Sequence, residues 1–387
     1  MNSDGFSAPD KKYKSILYVF NVTWFFLSHR RPVAQAAVRA GYRVHVAAAL
    51  SAGDADKIVA DGMEYHQLPI ARRGMNPFNE LKTFWALLKL YKTLSPDLVE
   101  LATIKPVLYG CLAARLHCGV KVVNWMTGLG YVFIAGRFVD NLLRLVVINF
   151  YRFAFQVRQL RIIFENPDDN KYFIDKQIVP ADKTILIPGA GVNTKHYVPI
   201  PERVGSVIVI LPARMLWDKG IQEFVDAAKL IKACGVDARF ALVGAIDPDN
   251  PASITENQLC QWQTENVVEW WGHQTDMPAI YAKSHIVCLP SYREGLPKSL
   301  LEAAACGRPI VATDVPGCRE IVRHGENGFL VSAKSSKKLA GALYKLIMNP
   351  ELRRKMGVCG REIVEQKFSE NKIIEETLSL YREMFEK

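Results

Sequence analysis

Short apolar runs alternate with segments of helical period along nearly all of this 387-residue chain. Helical segments such as 31–40 and 76–94 lie between the runs, and the second begins with the cap-like pair Asn76-Pro77. Strands that alternate with helices predict an α/β fold in which a parallel sheet is covered on both faces. The runs of the first half that read as strands are 15–20, 43–49, 64–68, 97–101, 121–125 and 161–164.

A stretch rich in proline, glycine and polar residues, 189–201, interrupts the alternation before it resumes. The chain is also long enough to favour two hydrophobic cores. We therefore expect an N-terminal domain over 1–198, a C-terminal domain over 199–365, and a helical segment, 366–387, that packs back on the first domain. Ligands of such open sheets bind beyond the carboxyl ends of the strands, so the cleft between the domains is the expected site. The predicted strands of the second domain are 207–211, 239–243, 267–270, 286–289 and 310–312.

The formal net charge of +10 suggests an anionic partner, and nucleic acid, anionic lipid and a phosphorylated substrate all qualify. The N-terminus lacks the apolar core of a signal peptide, and no apolar run approaches the roughly 20 residues that span a bilayer. None of the eight cysteines forms a C-x-x-C pair, which favours reduced cysteines of a cytosolic protein over disulfides or zinc ligands.

The stretch 291–302 combines a turn with two carboxylates. Glu294 and Gly295 form the turn after an apolar run, and Pro297 suits the first position of a helix because it has no N–H to lose. Free N–H groups at a helix start attract anions. With Glu302 inside the helix, the stretch suggests a ligand that has a diphosphate and sugar hydroxyls. An ordinary strand–helix connection with a solvated glutamate is the alternative.

Basic residues lie at the same predicted edge of the second sheet. Arg214 and Lys219 follow its first strand, and both only donate hydrogen bonds, as a diphosphate requires. Gly244 closes the next strand, where a glycine lets a ligand approach the backbone, and His273 follows a third strand. Exposed basic residues and a surface histidine are the simpler explanation of each residue taken alone.

Polar residues at strand ends of the first half are candidates for the opposite wall of the cleft. His29 and Arg30 follow the first strand, and Thr127 and Gly128 follow the fifth. A histidine in a cleft could act as a base or contact a phosphate. An ordinary polar loop is the alternative in each case.

Two segments have the composition of helices that lie on a membrane surface. Residues 76–94 place Phe, Leu and Trp side chains beside lysines, and in 137–161 four arginines fall on one arc of a helix. Basic amphipathic helices bind anionic lipid interfaces. A core helix with a solvated basic face is the alternative.

Taken together, these residues resemble the family-four retaining glycosyltransferases, which have the GT-B fold of two Rossmann-like domains with a cleft between them. Arg214 and Lys219 match the family's basic pair, and 294–309 matches its paired-glutamate signature. The linker over 191–199 is also similar. Three segments are closer still to bacterial enzymes that extend polyprenyl-diphosphate-linked sugars of O-antigens and N-linked glycans: 127–131, 165–166 and 213–220.

The resemblance implies a role for each residue. Arg214 and Lys219 would hold the donor diphosphate and stabilise the leaving nucleotide, Glu302 would bind the ribose, and Glu294 would contact the donor sugar. Members of the family need no divalent metal, since the two basic side chains supply that stabilisation, and transfer retains the anomeric configuration. The further donor-binding residues would be Gly244, His273, Gly295, Leu296, Pro297, Lys298 and Ser299, with N–H groups for the distal phosphate on Leu296, Lys298 and Ser299.

The first loop departs from the family's pattern. Many members have a glycine-rich first loop and a histidine near the donor sugar, whereas 21–29 lacks glycine and the fifth strand ends with Thr127. His29 is therefore expected on the acceptor side of the cleft, together with Arg30, Thr127 and Gly128.

The implied function is transfer of an N-acetylhexosamine from a UDP-sugar to a polyprenyl-diphosphate-linked saccharide. Such a step belongs to bacterial surface glycan assembly, as in O-antigen and lipopolysaccharide biosynthesis. The enzyme would be peripheral on the inner face of the cytoplasmic membrane. Another donor, such as GDP-mannose, and a nucleotide-sugar epimerase of the same architecture are the alternatives. A nucleic-acid binder is disfavoured because the chain has no basic–aromatic motif of a known module.

Overall fold

The computed structural model describes residues 13–51, 53–70, 76–117, 119–128 and 138–386, with the backbone alone for 138–143. This part of the chain forms two parallel sheets, one of seven strands and one of six. Helices cover both faces of each sheet, as the core clusters on either side demonstrate. The predicted α/β class with two open parallel sheets is confirmed.

The first sheet has the strand order β3-β2-β1-β4-β5-β6-β7, and every neighbouring pair is parallel. Its strands are β1 (Ser15–Val22), β2 (Arg43–Ala49), β3 (Glu64–Gln67), β4 (Leu98–Ala102), β5 (Lys121–Met126), β6 (Leu160–Phe164) and β7 (Thr184–Leu186). Its helices are α1 (Thr23–His29), α2 (Arg31–Arg39), α3 (Asp54–Ala60), α4 (Pro77–Leu94), α5 (Ile104–Leu116), α6 (Phe138–Ala154) and α7 (Pro167–Asp175).

The second sheet has the order β10-β9-β8-β11-β12-β13 and is also parallel throughout. Its strands are β8 (Val207–Pro212), β9 (Ala238–Val243), β10 (Glu269–Trp270), β11 (Ile286–Leu289), β12 (Ile310–Thr313) and β13 (Gly328–Val331). The remaining helices are α8 (Ile221–Ala233), α9 (Glu256–Thr264), α10 (Met277–Lys283), α11 (Lys298–Ala305), α12 (Cys318–Ile321), α13 (Ser336–Met348), α14 (Pro350–Lys367) and α15 (Glu370–Glu386).

The apolar runs form central strands because their side chains are buried on both faces of the sheet in turn. Leu17 and Val19 of β1 belong to one core cluster, whereas Ile16 and Tyr18 belong to the cluster on the opposite face. Successive side chains of a strand point to opposite faces, so a strand that is covered on both faces must be continuously apolar. The strand order reverses between β1 and β4 and again between β8 and β11, and ligands of open sheets bind beside such switch points.

The C-terminal segment returns to the first sheet. The first two residues of the expected helical segment, 366–387, belong to α14, which ends at Lys367, and most of the rest forms a separate helix, α15, from Glu370. At this break the backbone of Val192 bonds to Phe368 and Glu370, each at 2.9 Å. Helix α15 then packs against α2, and the hydroxyl of its Tyr381 lies 3.1 Å from that of Tyr18 on β1.

Three other expectations were wrong in detail. Residues 21–29, expected as a loop, contain α1, which buries Phe26. The strands β7 and β13 were missed, because β7 is three residues long and half-exposed and β13 begins with a glycine. Pro297 is the N-cap of α11 and not its first helical residue.

Candidate donor and acceptor cleft

The turn that carries Glu294 touches both domains. A Cβ built on Gly295 would lie 2.6 Å from Glu165 Oε2 and 3.0 Å from the amide nitrogen of Gly128. Only a residue without a side chain allows this approach. The predicted donor turn therefore lies directly against the ends of β5 and β6, and the cleft is lined by residues that follow strands of both sheets.

Lys219 and Glu294 form an ion pair in the cleft. The Nζ–Oε1 distance is 2.6 Å, and the two side chains are 17% and 12% exposed. A 3₁₀ turn over Trp217–Lys219 presents the lysine, and Gly220 follows it in a left-handed conformation. A Cβ on Gly220 would lie 2.1 Å from the Pro290 carbonyl oxygen. This close packing of the β8 loop on the end of β11 brings together a cation and a carboxylate 75 residues apart.

Arg214 lies in the same loop but binds another carboxylate. Its Nη1 donates to Asp247 Oδ2 at 2.8 Å, and the arginine side chain is 46% exposed. Asp247 follows β9 and is buried. The predicted basic pair thus divides in the structure, with Lys219 on Glu294 and Arg214 on Asp247. Sequence reasoning missed Asp247, although its position after a strand of the same sheet was a signal for it.

Glu302 is buried near the middle of α11, where two tyrosines bind it. Tyr281 donates its hydroxyl to Oε2 at 3.0 Å, and Tyr197 forms a second hydrogen bond. Burial raises the pKa of Glu302, and the Lys298 ammonium, 3.9 Å from Oε1, opposes that rise. The Lys298 ammonium also donates to the Ser28 carbonyl at 2.8 Å and so links α11 to the first domain.

The start of α11 has backbone N–H groups beside these side chains. Bonding within the helix begins with Leu300, which donates to the Pro297 carbonyl at 3.0 Å. The first turn therefore leaves the N–H groups of Lys298 and Ser299 without an intrahelical acceptor. The Leu296 N–H, which we expected on the distal phosphate, instead bonds to the Glu165 carboxylate, because the turn lies so close to β6.

Gly244 follows β9 and His273 follows β10, the two strands on the outer side of β8 in the second sheet. A Cβ on Gly244 would lie 1.9 Å from the Ala213 carbonyl oxygen, and its N–H donates to Gly272 at 2.8 Å. Gly244 therefore permits close approach of three strand ends. His273 is exposed beyond them.

On the first domain, Glu165 lies at the centre of a buried polar group. Trp125 Nε1 donates to Oε1 at 2.9 Å, and burial raises the pKa of this carboxyl to about 7. The neighbouring Asn166 donates to the Gly295 carbonyl at 2.9 Å. Asp169, in the first turn of α7, accepts from Asn166 and pairs with Arg293 of the second domain. The Glu165-Asn166 pair was noted in the sequence, but Asp169 was missed.

His29 and Arg30 lie beneath this wall of the cleft. Arg30 is buried, and its Nε lies 2.8 Å from Glu100 Oε1. Its guanidinium carbon lies 3.7 Å from the centre of the Trp125 ring, on which it stacks. The ring of His29 stacks on Phe25 at 4.1 Å, and its Nδ1 lies 3.2 Å from the Phe25 carbonyl. Burial, reinforced by the Lys298 charge, lowers the pKa of His29 to about 4, so this imidazole is neutral at pH 7.

The segment after β5 carries the other two acceptor-side candidates. Thr127 is half-buried, and Gly128 has a left-handed φ of 95° against Gly295. The rest of this motif, Gly130 and Tyr131, lies outside the described residues. The structure thus brings Thr127 and Gly128 to the donor turn. The Arg30 side chain is instead buried in the first domain against Glu100 and Trp125.

Two family models match the chain, one in each half. Residues 15–166 match "Glycosyl transferase 4-like", and residues 206–349 match "Glycosyl transferases group 1". The first match covers most of the first sheet. The second contains all of the second-domain residues discussed above.

Known proteins are similar over most of their length. The chain is 30% identical to the N,N'-diacetylbacillosaminyl-diphospho-undecaprenol alpha-1,3-N-acetylgalactosaminyltransferase of Campylobacter jejuni, over 83% of this chain and 86% of that protein. It is 24% identical to the UDP-Gal:alpha-D-GlcNAc-diphosphoundecaprenol alpha-1,3-galactosyltransferase of Escherichia coli, over 84% and 85%. Among solved structures, sucrose-phosphate synthase from Thermosynechococcus elongatus superposes with a TM-score of 0.82 at 20% identity, over 96% and 99%.

These similarities agree with the strand orders and with the motifs at the cleft. The identity and coverage of the Campylobacter relative establish the family, and the superposition establishes the fold. The resemblance that the sequence motifs indicated is confirmed. The chain belongs to the family-four glycosyltransferases and has their GT-B fold.

Proposed function

We propose that this protein transfers a hexosyl residue from a nucleotide sugar to a polyprenyl-diphosphate-linked saccharide, with retention of the anomeric configuration. The observation that carries the proposal is the Lys219–Glu294 ion pair, 2.6 Å long, beside the start of α11. The pair offers a cation and a carboxylate beside backbone N–H groups that have no intrahelical acceptor, and a diphosphate-linked sugar requires this combination of groups.

In the proposed donor complex, Lys219 and Arg214 bind the diphosphate. The N–H groups of Lys298 and Ser299 bind the distal phosphate together with the positive end of the α11 dipole. As the glycosidic bond breaks, negative charge grows on the diphosphate oxygen, and these fixed donors stabilise it. The arrangement favours front-face attack, in which that oxygen takes the acceptor proton.

Two carboxylates would bind the ribose and the sugar of the donor. Glu302 has one oxygen bound by Tyr281, and its Oε1 lies toward Lys298, where it can accept from the ribose hydroxyls. Glu294 would release part of its contact with Lys219 and accept from hydroxyls of the donor sugar. Gly244 and His273 would then lie beside the nucleoside.

The donor and acceptor are inferred from the relatives' names. The Escherichia coli protein is described as using UDP-Gal, and the Campylobacter protein as an N-acetylgalactosaminyltransferase. Both names specify a diphospho-undecaprenol-linked sugar as acceptor. We propose a UDP-N-acetylhexosamine donor and an acceptor of the same lipid-linked class, bound against His29, Thr127 and Gly128 of the first domain.

A lipid-linked acceptor requires contact with a membrane, and two helices of the first domain support peripheral binding. On α4, Phe78 is 83% and Trp85 56% exposed, and on α6 both Val146 and Phe153 are exposed. Arg152 and Arg158 are exposed in the same region. In the described residues, no helix is long and apolar enough to cross a bilayer. We propose that these helices bind the inner, anionic face of the cytoplasmic membrane.

The Glu302 carboxylate gives the sharpest test of the proposed site. Glu302→Ala should abolish UDP release with the lipid acceptor present while the protein still unfolds cooperatively. Glu302→Gln keeps the side-chain volume and separates loss of charge from loss of packing. Glu256→Ala, an exposed carboxylate on α9, is the matched control. Full activity in both Glu302 variants would refute the assigned role, and a panel of nucleotide sugars would identify the donor.

A further inference from the structure

Three side chains that offer metal ligands meet on the two outer strands of the first sheet. His45 lies on β2, and Glu64 and His66 lie on the edge strand β3. The parallel register pairs His45 with Glu64 and Ala47 with His66. Because alternate residues of a strand share a face, all three side chains project from the same face of the sheet.

The separations between the ligand atoms suit a single small ion. His45 Nδ1 lies 3.1 Å from His66 Nε2 and 3.5 Å from Glu64 Oε2. All three atoms lie within 4.8 Å of one another. Tetrahedral zinc with bonds of about 2.0–2.1 Å holds neighbouring ligand atoms about 3.3 Å apart. The observed distances fall on either side of that value.

The hydrogen-bonding state of the cluster is compatible with ligation. At 3.1 Å, at most one of the two facing nitrogens can carry a hydrogen, so at least one lone pair already points into the cluster. Arg43 Nε donates to Glu64 Oε1 at 2.7 Å, which leaves Oε2 turned toward His45. Outer partners of this kind commonly orient a ligating carboxylate.

We propose that His45, Glu64 and His66 bind a divalent transition metal, with zinc as the expected ion and water as the fourth ligand. Imidazole and carboxylate ligands in this number suit zinc better than magnesium or calcium, which prefer oxygen ligands. The ion would join the edge strand β3 to β2. His45 lies four residues before the end of β2, which is about 13 Å of strand. The cleft lies beyond the carboxyl ends of the strands, so the ion is away from it. The ion would therefore stabilise the sheet and take no part in the transfer step.

Zinc titration of the full chain tests the proposal. After treatment with a chelator and desalting, the protein should bind one equivalent of Zn²⁺ in calorimetry. His66→Ala removes a ligand at a partly exposed position. Loss of a residue that only orients a ligand weakens metal binding about 10- to 100-fold, so loss of the ligand itself should weaken it by at least that much. Glu64→Gln should weaken it as well. His324→Ala, an exposed histidine of the second domain, is the control and should bind like the wild type.

Cobalt distinguishes this site from the exposed thiols of Cys234 and Cys260. Co²⁺ bound by nitrogen and oxygen should give visible bands of a tetrahedral ion without a thiolate charge-transfer band. Zinc should also raise the Tm of the wild type but not that of His66→Ala. Binding that is equal in the wild type and His66→Ala, or a thiolate band, would overturn the proposal. Glycosyl transfer should be unchanged in His66→Ala, so this result is independent of the proposed function.

Discussion

The side-chain amide of Asn166 donates a hydrogen bond of 2.9 Å to the backbone carbonyl of Gly295. This bond joins the end of β6 in the first domain to the turn that carries Glu294 in the second. Asn166 is also the N-cap of α7, where its Oδ1 accepts from the Asp169 N–H at 2.8 Å. One residue thus caps a helix and fixes the donor turn through two different atoms.

Asn166→Asp should separate these two roles. Aspartate keeps the oxygen that caps α7, but it cannot donate to Asp169 Oδ2 and places a second carboxylate beside it, so the Tm should fall. It also cannot donate to Gly295, and we expect kcat/KM to fall roughly three- to tenfold, since a neutral hydrogen bond contributes about 0.5–1.5 kcal/mol. Steady-state kinetics and thermal unfolding measure the two effects. An unchanged kcat/KM would mean that this bond does not position the turn.

Glu165 should make stability depend on pH. Burial raises the pKa of its carboxyl group from the ordinary value of 4.5 to about 7 in the folded protein, so the folded state binds this proton more tightly than the unfolded state does. The carboxyl group's contribution to the free energy of unfolding should therefore decrease as pH rises from about 4.5 to about 7 and level off above that.

Glu165→Gln removes this titration. The free energy of unfolding of the wild type, minus that of Glu165→Gln, should fall across the same pH window. Urea unfolding at several pH values measures the difference. A constant difference across the window would show that Glu165 has an ordinary pKa in the folded protein.

Lys219→Met should remove one of the donors that stabilise the leaving diphosphate. We expect kcat to fall about 100- to 1000-fold, the loss seen when one fixed donor to a developing oxyanion is deleted. The variant should also lose stability, because Glu294 is then left largely buried without its partner.

A double variant separates these two effects of Lys219→Met. Lys219→Met with Glu294→Gln should regain the Tm but not the kcat. Recovery of kcat in the double variant would contradict a role of Lys219 in the reaction.

The exposed apolar face of α4 should mediate membrane binding. Replacing Phe78 and Trp85 with glutamate should reduce co-sedimentation with vesicles of phosphatidylethanolamine and phosphatidylglycerol, because it removes inserted apolar area and adds negative charge. Transfer to a short-chain, water-soluble acceptor should be unchanged. Leu230→Glu, at an exposed apolar position on α8, is the control. Equal sedimentation of the wild type and the double variant would place the membrane contact elsewhere.

The sequence predicted the central strands and the donor half of the site more fully than the acceptor half. Strands such as β8 and β11 are buried on both faces, and burial on both faces produces continuous apolar runs that can be read directly. Lys219 and Glu294 could be placed at one edge of the sheet from sequence, because both follow strands of one parallel sheet, but their ion pair was not predicted.

The remaining features depend on contacts between distant segments. Arg30 lies between α1 and α2, whereas its partners Glu100 and Trp125 lie within β4 and β5, and no local pattern distinguishes a buried arginine from an exposed one. The bond from Leu296 to Glu165 likewise requires the two domains to meet. Short edge strands such as β7 carry too few residues for a periodic signal.

Acceptor-dependent release of UDP tests the central claim most directly. The protein would be incubated with a UDP-N-acetylhexosamine, with and without a polyprenyl-diphosphate-linked saccharide, and both UDP and the mass of the lipid product would be measured. We predict UDP only when the acceptor is present, together with a lipid product heavier by one N-acetylhexosamine residue. Consumption of the donor at the same rate without acceptor, or UDP release with no heavier lipid, would contradict the account.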